Sequence, residues 1–489
     1  MSDSFVPTGA EYLRILPEIV LTIAGTLIMF LEAALKNRQK RILAPLSLLA
    51  LAAAMVAAID ADNLPGQAFH DMIVVDGFTT FFRVLVIAVG FLAVLASTDY
   101  LRRENAYGGE FFALILFSVA GQCLMAAANE LIMIFIGLEI SSIASYILAG
   151  YLRDDKRNNE AALKYFLLGS FATAFLLYGI AWIYGATGTT NLVEIRRALV
   201  MGGGPSGAVV ATAAALMFVG FGFKISAAPF QIWAPDVYQG APAPVSAFLS
   251  VGPKAAAFAI LIRTYYTAFG PISADWTPMV WAVALATMIV GNFAAIQQSN
   301  IKRMLAYSSI AHAGYVLVAV AANSEIGSAA AMFYLAAYAF TNFGAFAVVT
   351  YVARKHEQYT KIEDFAGLSQ RDPAMAAMLT IFLLSLIGMP LTGGFFGKFY
   401  IFKAALDSNL VWLTVLGLLN SAVAAYYYLR VLVVMYMKPP EGSAGGSMEP
   451  LPPAGAGLKI AIYGSAIMTL ALGIFPSFVL DFANKAALK

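Results

Sequence analysis

The sequence predicts an all-α, polytopic membrane protein with about 14 transmembrane helices. Of the 489 residues, 61% are hydrophobic and only 12% are charged, whereas soluble globular domains carry about 25% charged residues. Apolar runs of about 18 residues or more, the length that indicates a membrane helix, recur along the chain. The strands of a membrane barrel would be about ten residues long and would alternate apolar and polar positions. The apolar runs in this chain are longer than such strands and do not alternate, so helices are predicted.

The membrane spans can be placed directly on the sequence. Their predicted bounds are 13–35, 42–59, 77–98, 110–128, 131–150, 161–185, 207–237, 243–269, 277–297, 301–322, 327–352, 373–405, 409–437 and 458–482. The first span is expected to stay in the protein, because acidic residues precede it where a signal peptide needs basic ones.

Spans 7 and 12 are too long to be single straight helices. Both greatly exceed the roughly 20 residues that cross a bilayer. Each contains helix breakers, Pro229 in "ISAAPF" and the run "GMPLTGG" at 388–394, and each has one lysine beside its break, Lys224 or Lys398. Long spans with internal breaks are typical of the discontinuous helices of transporters.

The spacing of ionisable residues predicts an internal repeat. The separation of Lys224 and Lys398 in sequence is nearly the same as that of Glu139 and His312. This offset predicts two five-helix repeats, spans 4–8 and 9–13, and the odd number of helices makes the second repeat inverted. The expected division of one integral membrane domain, 1–489, is a three-helix segment (1–105), a first repeat (106–270), a second repeat (271–437), and a flexible loop with a C-terminal helix (438–489).

Basic residues concentrate in the loops that follow odd-numbered spans. The loop after span 1 reads "KNRQKR", and further basic clusters follow spans 3, 5, 9 and 11, with Lys302 and Arg303 after span 9. The loop after span 2 carries acids and no Lys or Arg. By the positive-inside rule the odd-numbered loops face the cytoplasm, which places both termini in the periplasm. Arg196 and Arg197, after span 6, are the exception.

Ionisable side chains within the spans are the candidate functional residues, because each is costly in a bilayer. They are Glu139, Lys164, Lys224, Lys254, His312 and Lys398. Lys164, one turn after Glu160, could instead extend to the interface, and His312 could be a hydrogen-bonded core residue. For the other three lysines the alternative is a structural ion pair, although Glu139 is the only clear mid-membrane acid. Structural or interfacial roles are expected for four further charges: Glu18, Glu32, Arg83 and Arg263.

The buried lysines suggest proton chemistry. Burial of an amine favours its neutral form, so such a lysine can accept and release a proton. Movement of Glu139 toward or away from Lys224 would load or unload that proton. A broken helix also frees backbone groups that need water or polar side chains, so water can reach the middle of the membrane. These residues therefore indicate proton translocation through a chain of buried titratable groups.

Other kinds of site find little support in the sequence. The single cysteine, Cys123, excludes an intrachain disulfide framework and an iron–sulfur cluster ligated by this chain alone. His70, His312 and His356 are scattered, which argues against a dedicated metal site. The net charge of +2 does not indicate a nucleic-acid partner.

Five motifs resemble one family over nearly the whole chain. They are "GLEISSIASYIL" (137–148), "KISAAPFQIWAPDVYQGAPAPVSAFLSVGPKAA" (224–256), "KRMLAYSSIAHAGY" (302–315), "IEDFAGLSQRDP" (362–373) and "GMPLTGGFFGKFYIF" (388–402). They resemble the antiporter-like subunits of respiratory complex I, the NADH–quinone oxidoreductase of bacterial inner membranes. Lys254, Lys398 and the short chain after span 14 make the resemblance closest to the N type of this family.

The resemblance implies roles for the candidate residues. Glu139 would be the acidic partner of Lys224, and Lys224 would accept the proton of the first half-channel. Lys254 would link the two halves, with His312 beside the central polar axis. Lys398 would pass the proton to the second half-channel, with Lys164 assisting on the input side. Flavin, iron–sulfur clusters and quinone would belong to partner subunits, so the chain would be part of a translocase without holding a cofactor.

Two other functions stay open at this point. One is a subunit of a related multi-subunit cation/proton antiporter, which has no redox partner. The other is a scaffold subunit that the complex needs but that does not pump.

Overall fold

The computed structural model describes residues 6–488 except 37, 202–205, 440–450 and 452. The predicted flexible loop at 438–457 therefore lies largely outside the described residues. Within the described ranges the chain is almost entirely helical.

The helices follow one another in chain order. The first ten are α1 (Gly9–Arg14), α2 (Leu16–Ala34), α3 (Leu43–Ala61), α4 (Gly77–Arg103), α5 (Gly109–Ala127), α6 (Leu131–Ala149), α7 (Lys156–Thr187), α8 (Leu192–Val200), α9 (Gly207–Ile225) and α10 (Trp233–Gly240). The next ten are α11 (Ala243–Arg263), α12 (Ser273–Ile296), α13 (Ile301–Ala321), α14 (Glu325–Val352), α15 (Leu368–Arg371), α16 (Pro373–Ile387), α17 (Gly393–Asp407), α18 (Val411–Met437), α19 (Ala456–Ile474) and α20 (Ser477–Ala486).

The predicted set of membrane spans is confirmed in number. In the described residues, 13 helical segments are long and apolar enough to cross a membrane. The remaining predicted span, the twelfth, is present as the two shorter helices α16 and α17. The last span is shorter than predicted, because α19 ends at Ile474 and a separate helix, α20, follows Pro476.

A short β-hairpin lies between α3 and α4 and is absent from the sequence prediction. Strand β1 (Gly66–Ala68) pairs antiparallel with β2 (Ile73–Val75). Side chains of α1 hold it in place: Arg14 donates to the carbonyl oxygens of Leu64 and Gln67 at 3.0 and 2.7 Å. The strands have three residues each, too short for a period-two pattern to be recognised.

Both predicted helix breaks are confirmed. Helix α9 ends where Ser226 adopts a left-handed conformation (φ 61°), and α10 begins after Pro229 and a short 3₁₀ turn. Helix α16 ends at Ile387, and the next residue, Gly388, has a φ of 95°, which favours glycine. The breaks leave the last carbonyl groups of α9 and α16 without partners in their own helices.

The loops after odd-numbered spans meet at one end of the bundle. Tyr100 at the end of α4 donates to Glu357 after α14, and Asn158 at the start of α7 donates to the carbonyl of Gly240 at the end of α10. The opposite end holds the start of α4 and the end of α11, where Arg263 pairs with Asp76. This arrangement agrees with the predicted alternation of the spans. Helices α11, α13 and α14 form the most buried part of the bundle.

Candidate functional site

Lys224 lies in the last turn of α9, directly before the first helix break. It is 8% exposed, and its Nζ donates to the hydroxyl of Tyr146 at 3.2 Å. The same Nζ lies 5.0 Å from the ring centre of Tyr146 and 5.3 Å from that of Tyr165. Aromatic faces attract a cation at this distance, so two tyrosines form the immediate surroundings of the amine.

Glu139, which the resemblance implies as the acidic partner of Lys224, makes no direct contact with it. It is half-buried on α6 and accepts a hydrogen bond of 2.9 Å from Thr173, and no ion pair joins it to Lys224. Ile136 and Ile143, close to it on α6, are exposed, so Glu139 lies near the outer surface of the bundle.

Lys254 lies at the centre of the bundle, on α11. It is 2% exposed. Its Nζ donates to both the backbone oxygen (2.9 Å) and the hydroxyl of Ser309 on α13. Pro253, inside α11, has no N–H to donate to Leu249, and the Leu249 carbonyl instead accepts from Tyr238 at 3.2 Å. The proline thus opens the helix to polar contacts one residue before the lysine.

His312 lies one turn after Ser309 on α13 and is 4% exposed. Its Nδ1 is 2.5 Å from the hydroxyl of Tyr334, and its Nε2 is 3.2 Å from that of Tyr428. The hydroxyl of Tyr428 in turn bonds to Ser308. The histidine is therefore both hydrogen-bonded in the core and part of a row of polar groups that begins at Lys254.

Lys398 lies on α17 and reaches across the second helix break. Its Nζ donates to the carbonyl oxygens of Leu386 and Ile387 at 2.9 and 2.8 Å and to the hydroxyl of Ser421 at 2.8 Å. The amine thus satisfies the last carbonyls of α16, where a helix end favours a positive charge. Nζ also lies 4.9 Å from the ring centre of Tyr315.

Lys254 on α11 contacts Ser309 on α13, one turn before His312. Lys224 and Lys398 lie at the two helix breaks. None of the three buried lysines forms an ion pair with a described carboxylate, so the alternative of structural ion pairs is not supported. The four further charges for which structural or interfacial roles are expected, Glu18, Glu32, Arg83 and Arg263, each form an ion pair. Their pairs are Glu18–Arg83, Glu32–Lys40 and Asp76–Arg263.

Lys164 lies apart from these residues. Its side chain is 41% exposed and pairs with Glu160 at 2.7 Å and with Asp236 at 2.8 Å. Asp236 also pairs with Arg303 at 2.6 Å. These residues line a polar pocket at the end of the bundle where the odd-numbered loops meet.

Sequence reasoning missed a buried ion pair near this pocket. Lys302, which is counted with the basic residues after span 9 and lies at the start of predicted span 10, is 0% exposed and pairs with Glu357 at 2.6 Å. Asn300 caps α13, so Lys302 lies in the first turn of a buried helix. Asn300 before an apolar run signals the start of this helix, but no sequence signal identifies Glu357 as the partner of Lys302. Among the described residues, no group of three or more His, Cys, Asp or Glu side chains is placed to hold a metal ion.

The sequence was also compared with models of known protein families. Residues 128–424 match the model of the family described as "NADH:quinone oxidoreductase/Mrp antiporter, TM". The chain belongs to this family. The matched region includes both helix breaks and all six candidate residues, and the chain is a multi-pass membrane protein.

Individual relatives agree with this family. A protein of Solibacter usitatus named NADH-quinone oxidoreductase subunit N 1 is 64% identical over 487 residues, which cover 100% of this chain and 99% of the relative. A chain in the structure of respiratory complex I from Thermus thermophilus with bound aureothin is 33% identical, with a TM-score of 0.81 and coverage of 96% of this chain and 99% of that one. A chain of the Mrp complex from Dietzia is 21% identical with a TM-score of 0.84, covering 98% and 97%, and shows the fold alone.

Proposed function

We propose that this chain is a proton-translocating membrane subunit of an NADH–quinone oxidoreductase (complex I). The observation that carries the proposal is the presence of three buried lysines that form no ion pair with any carboxylate of the described residues, two of them at helix breaks. Such amines can exchange protons in the middle of the membrane. The relative from Solibacter usitatus is named as a subunit of NADH-quinone oxidoreductase, and the Thermus structure as respiratory complex I. From these names we infer that the redox partner of this chain is the rest of such a complex.

In this proposal each candidate residue has one role. Lys224 accepts a proton next to the first break, Lys254 and His312 carry it along α13, and Lys398 releases it at the second break. Glu139 sets the charge state of Lys224 through space, as the acid on the outer surface where a partner subunit would contact it. Lys164 assists on the input side from the polar pocket that it shares with Asp236.

Partner subunits complete the translocase. Flavin, iron–sulfur clusters and quinone would be held there, and quinone reduction would drive the proton movement in this chain. The division into two inverted repeats, 106–270 and 271–437, with flanking segments 1–105 and 438–489, belongs to the same proposal. So does the location in a bacterial inner membrane with both termini in the periplasm, since the basic loops share one end of the bundle.

The test uses Lys224→Ala in the assembled complex. We expect the complex to assemble, with NADH–ferricyanide activity retained by the partner subunits, while proton pumping and coupled quinone reduction fall about tenfold or more. Full pumping per electron in this variant would exclude Lys224 as a proton carrier and leave a scaffold role. Purification without flavin and iron–sulfur subunits would favour the antiporter complex instead.

A further inference from the structure

Asn292 is a fully buried amide on α12 that lies outside the proposed proton path. It is 0% exposed. Its Nδ2 donates to the hydroxyl of Tyr315 on α13 at 3.3 Å and to the backbone oxygen of Asn420 on α18 at 3.2 Å. Its Oδ1 accepts from the hydroxyl of Tyr427, also on α18, at 3.1 Å. One side chain thus connects three membrane helices, with both its nitrogen and its oxygen bonded.

Two glycines explain how the amide reaches α13. A Cβ atom at Gly291, the residue before Asn292, would lie 2.5 Å from the backbone nitrogen of Ala311 on α13. A Cβ atom at Gly314, on α13, would lie 2.8 Å from a backbone nitrogen of α12. Small residues permit such close approach of membrane helices. The contact brings Asn292 within hydrogen-bonding distance of Tyr315, the residue after Gly314.

The first partner of the amide, Tyr315, faces the amine of Lys398. The ring centre lies 4.9 Å from Lys398 Nζ, a distance at which an aromatic face attracts a cation. The same ring packs edge to face against His312, with 5.6 Å between the ring centres. Tyr315 therefore contacts both His312 and Lys398, and the bond from Asn292 fixes the far end of its side chain.

The second partner, Tyr427, leads to His312. The ring centres of Tyr427 and Tyr428 are 4.3 Å apart, and the hydroxyl of Tyr428 lies 3.2 Å from His312 Nε2. Both tyrosines are 0% exposed, and in a close-packed interior the position of one ring limits where its neighbour can lie. The bond from Tyr427 to Asn292 therefore also limits the movement of the hydroxyl at His312.

A role in holding the helices together explains only part of this arrangement. Buried asparagines do join membrane helices through hydrogen bonds, and Asn158 joins α7 to α10 by donating to the carbonyl of Gly240. A bond of that kind requires only a backbone oxygen. Two of the three bonds of Asn292 go instead to tyrosine hydroxyls, and these bonds fix the aromatic rings around Lys398 and His312.

We propose that Asn292 is a positioning residue for proton transfer between His312 and Lys398. This inference rests on the proposed function. The amide holds the Tyr315 ring at the amine of Lys398. Through Tyr427 it also holds the hydroxyl that lies against His312. The amide forms and breaks no covalent bond: the proton that leaves His312 is matched by the N–H bond formed on the neutral amine of Lys398, and no electron moves.

The experiment measures protons pumped per NADH, as a function of pH, in vesicles that contain the whole complex. In Asn292→Leu we expect the ratio to fall by about threefold or more, because the rings around the proton-binding groups lose their fixed positions. NADH–ferricyanide activity should stay at the wild-type level. The pH profile of pumping should be displaced in the same direction as in Tyr315→Phe, since both changes free the ring at Lys398.

The matched control is Asn158→Leu. Asn158 is 3% exposed and its amide also joins two helices, but it lies at the end of the bundle, away from Lys398. It should keep the wild-type ratio and pH profile. A lower ratio in Asn292→Leu with an unchanged pH profile would reduce Asn292 to a contact between helices and overturn the positioning role.

The double variant Asn292→Leu/Tyr315→Phe shows whether the amide acts through the tyrosine. Effects of residues in contact are not additive when one acts through the other, so we expect the double variant to pump as Asn292→Leu does. Losses that multiply in the double variant would overturn the inference. If Asn292→Leu does not assemble, Tyr315→Phe decides alone, because it removes a single oxygen atom, and wild-type pumping with a wild-type pH profile would then overturn it.

Lys398→Ala in the same series separates this inference from the proposed function. Loss of pumping in Lys398→Ala, together with a wild-type ratio and pH profile in Asn292→Leu, would overturn the positioning role and leave the proposed function intact. Wild-type pumping in Lys398→Ala would overturn both.

Discussion

Lys302 Nζ donates a hydrogen bond of 2.6 Å to Glu357 Oε2 at the end of the bundle where the odd-numbered loops meet. The other oxygen of Glu357 accepts from the hydroxyl of Tyr100 at 2.8 Å and from the backbone nitrogen of Ala243 at 2.6 Å. One carboxylate thus connects α4, the start of α11 and the start of α13. The last two helices carry Lys254 and its partner Ser309, so this contact sets their relative position.

Lys302→Met is expected to destabilise the chain strongly. It leaves the Glu357 carboxylate buried without its cation, and breaking a buried pair from one side costs about 3–5 kcal/mol. The measurement is the thermal unfolding midpoint of the purified complex together with its yield. Lys355→Met, a change of the same type at an exposed position, is the control.

The double variant Lys302→Met/Glu357→Gln tests the reason for that loss. It removes both charges, so we expect it to recover much of the stability. If Lys302→Met alone were as stable as the wild type, the Lys302–Glu357 pair would not be what holds these helices together.

Lys398→Arg separates a fixed charge from a proton carrier. Arginine keeps a cation near the carbonyls of Leu386 and Ile387, but it does not release a proton in proteins. We expect the complex to assemble and to pump about tenfold less or worse, as in Lys398→Ala. The measurement is the ratio of protons pumped to NADH oxidised. Normal pumping by the arginine variant would mean that Lys398 serves only as the cap of α16.

Lys164→Ala is expected to have a mild effect. The side chain is 41% exposed and shares its acids with Arg303, and exposed ion pairs contribute at most about 1 kcal/mol. Initial rates of pumping across a range of pH give the comparison with the wild type. An effect as severe as that of Lys224→Ala would place Lys164 on the proton path itself.

The fold could largely be predicted from the sequence, because apolar run length and helix breakers act locally. Pro229 and Gly388 identify the two helix breaks in the sequence, and the structure has a break at each of these positions. The hairpin at Gly66–Val75 could not be predicted, since its short strands are held by Arg14 of a distant helix. Pro476 ends the last span earlier than hydropathy alone indicated.

The site was harder to predict because partners come from distant parts of the chain. An ionisable residue in an apolar run identifies Lys224, Lys254 and Lys398 but does not say what each contacts. The resemblance implies Glu139 as the acidic partner of Lys224, whereas the structure gives Tyr146 as the hydrogen-bond contact of the lysine. The burial of Lys302, at the start of predicted span 10, could not be predicted because it depends on Glu357, which lies far away in sequence.

The most direct test of the central claim is the number of protons pumped per NADH by the complex with Lys254→Ala, reconstituted in lipid vesicles. Lys254 is the most buried of the three lysines and contacts only Ser309 through its amine. If protons pass through it, the ratio falls well below that of the wild type while the NADH–ferricyanide activity of the assembled complex is kept. A ratio equal to that of the wild type would contradict proton translocation along the path from Lys224 through Lys254 to Lys398.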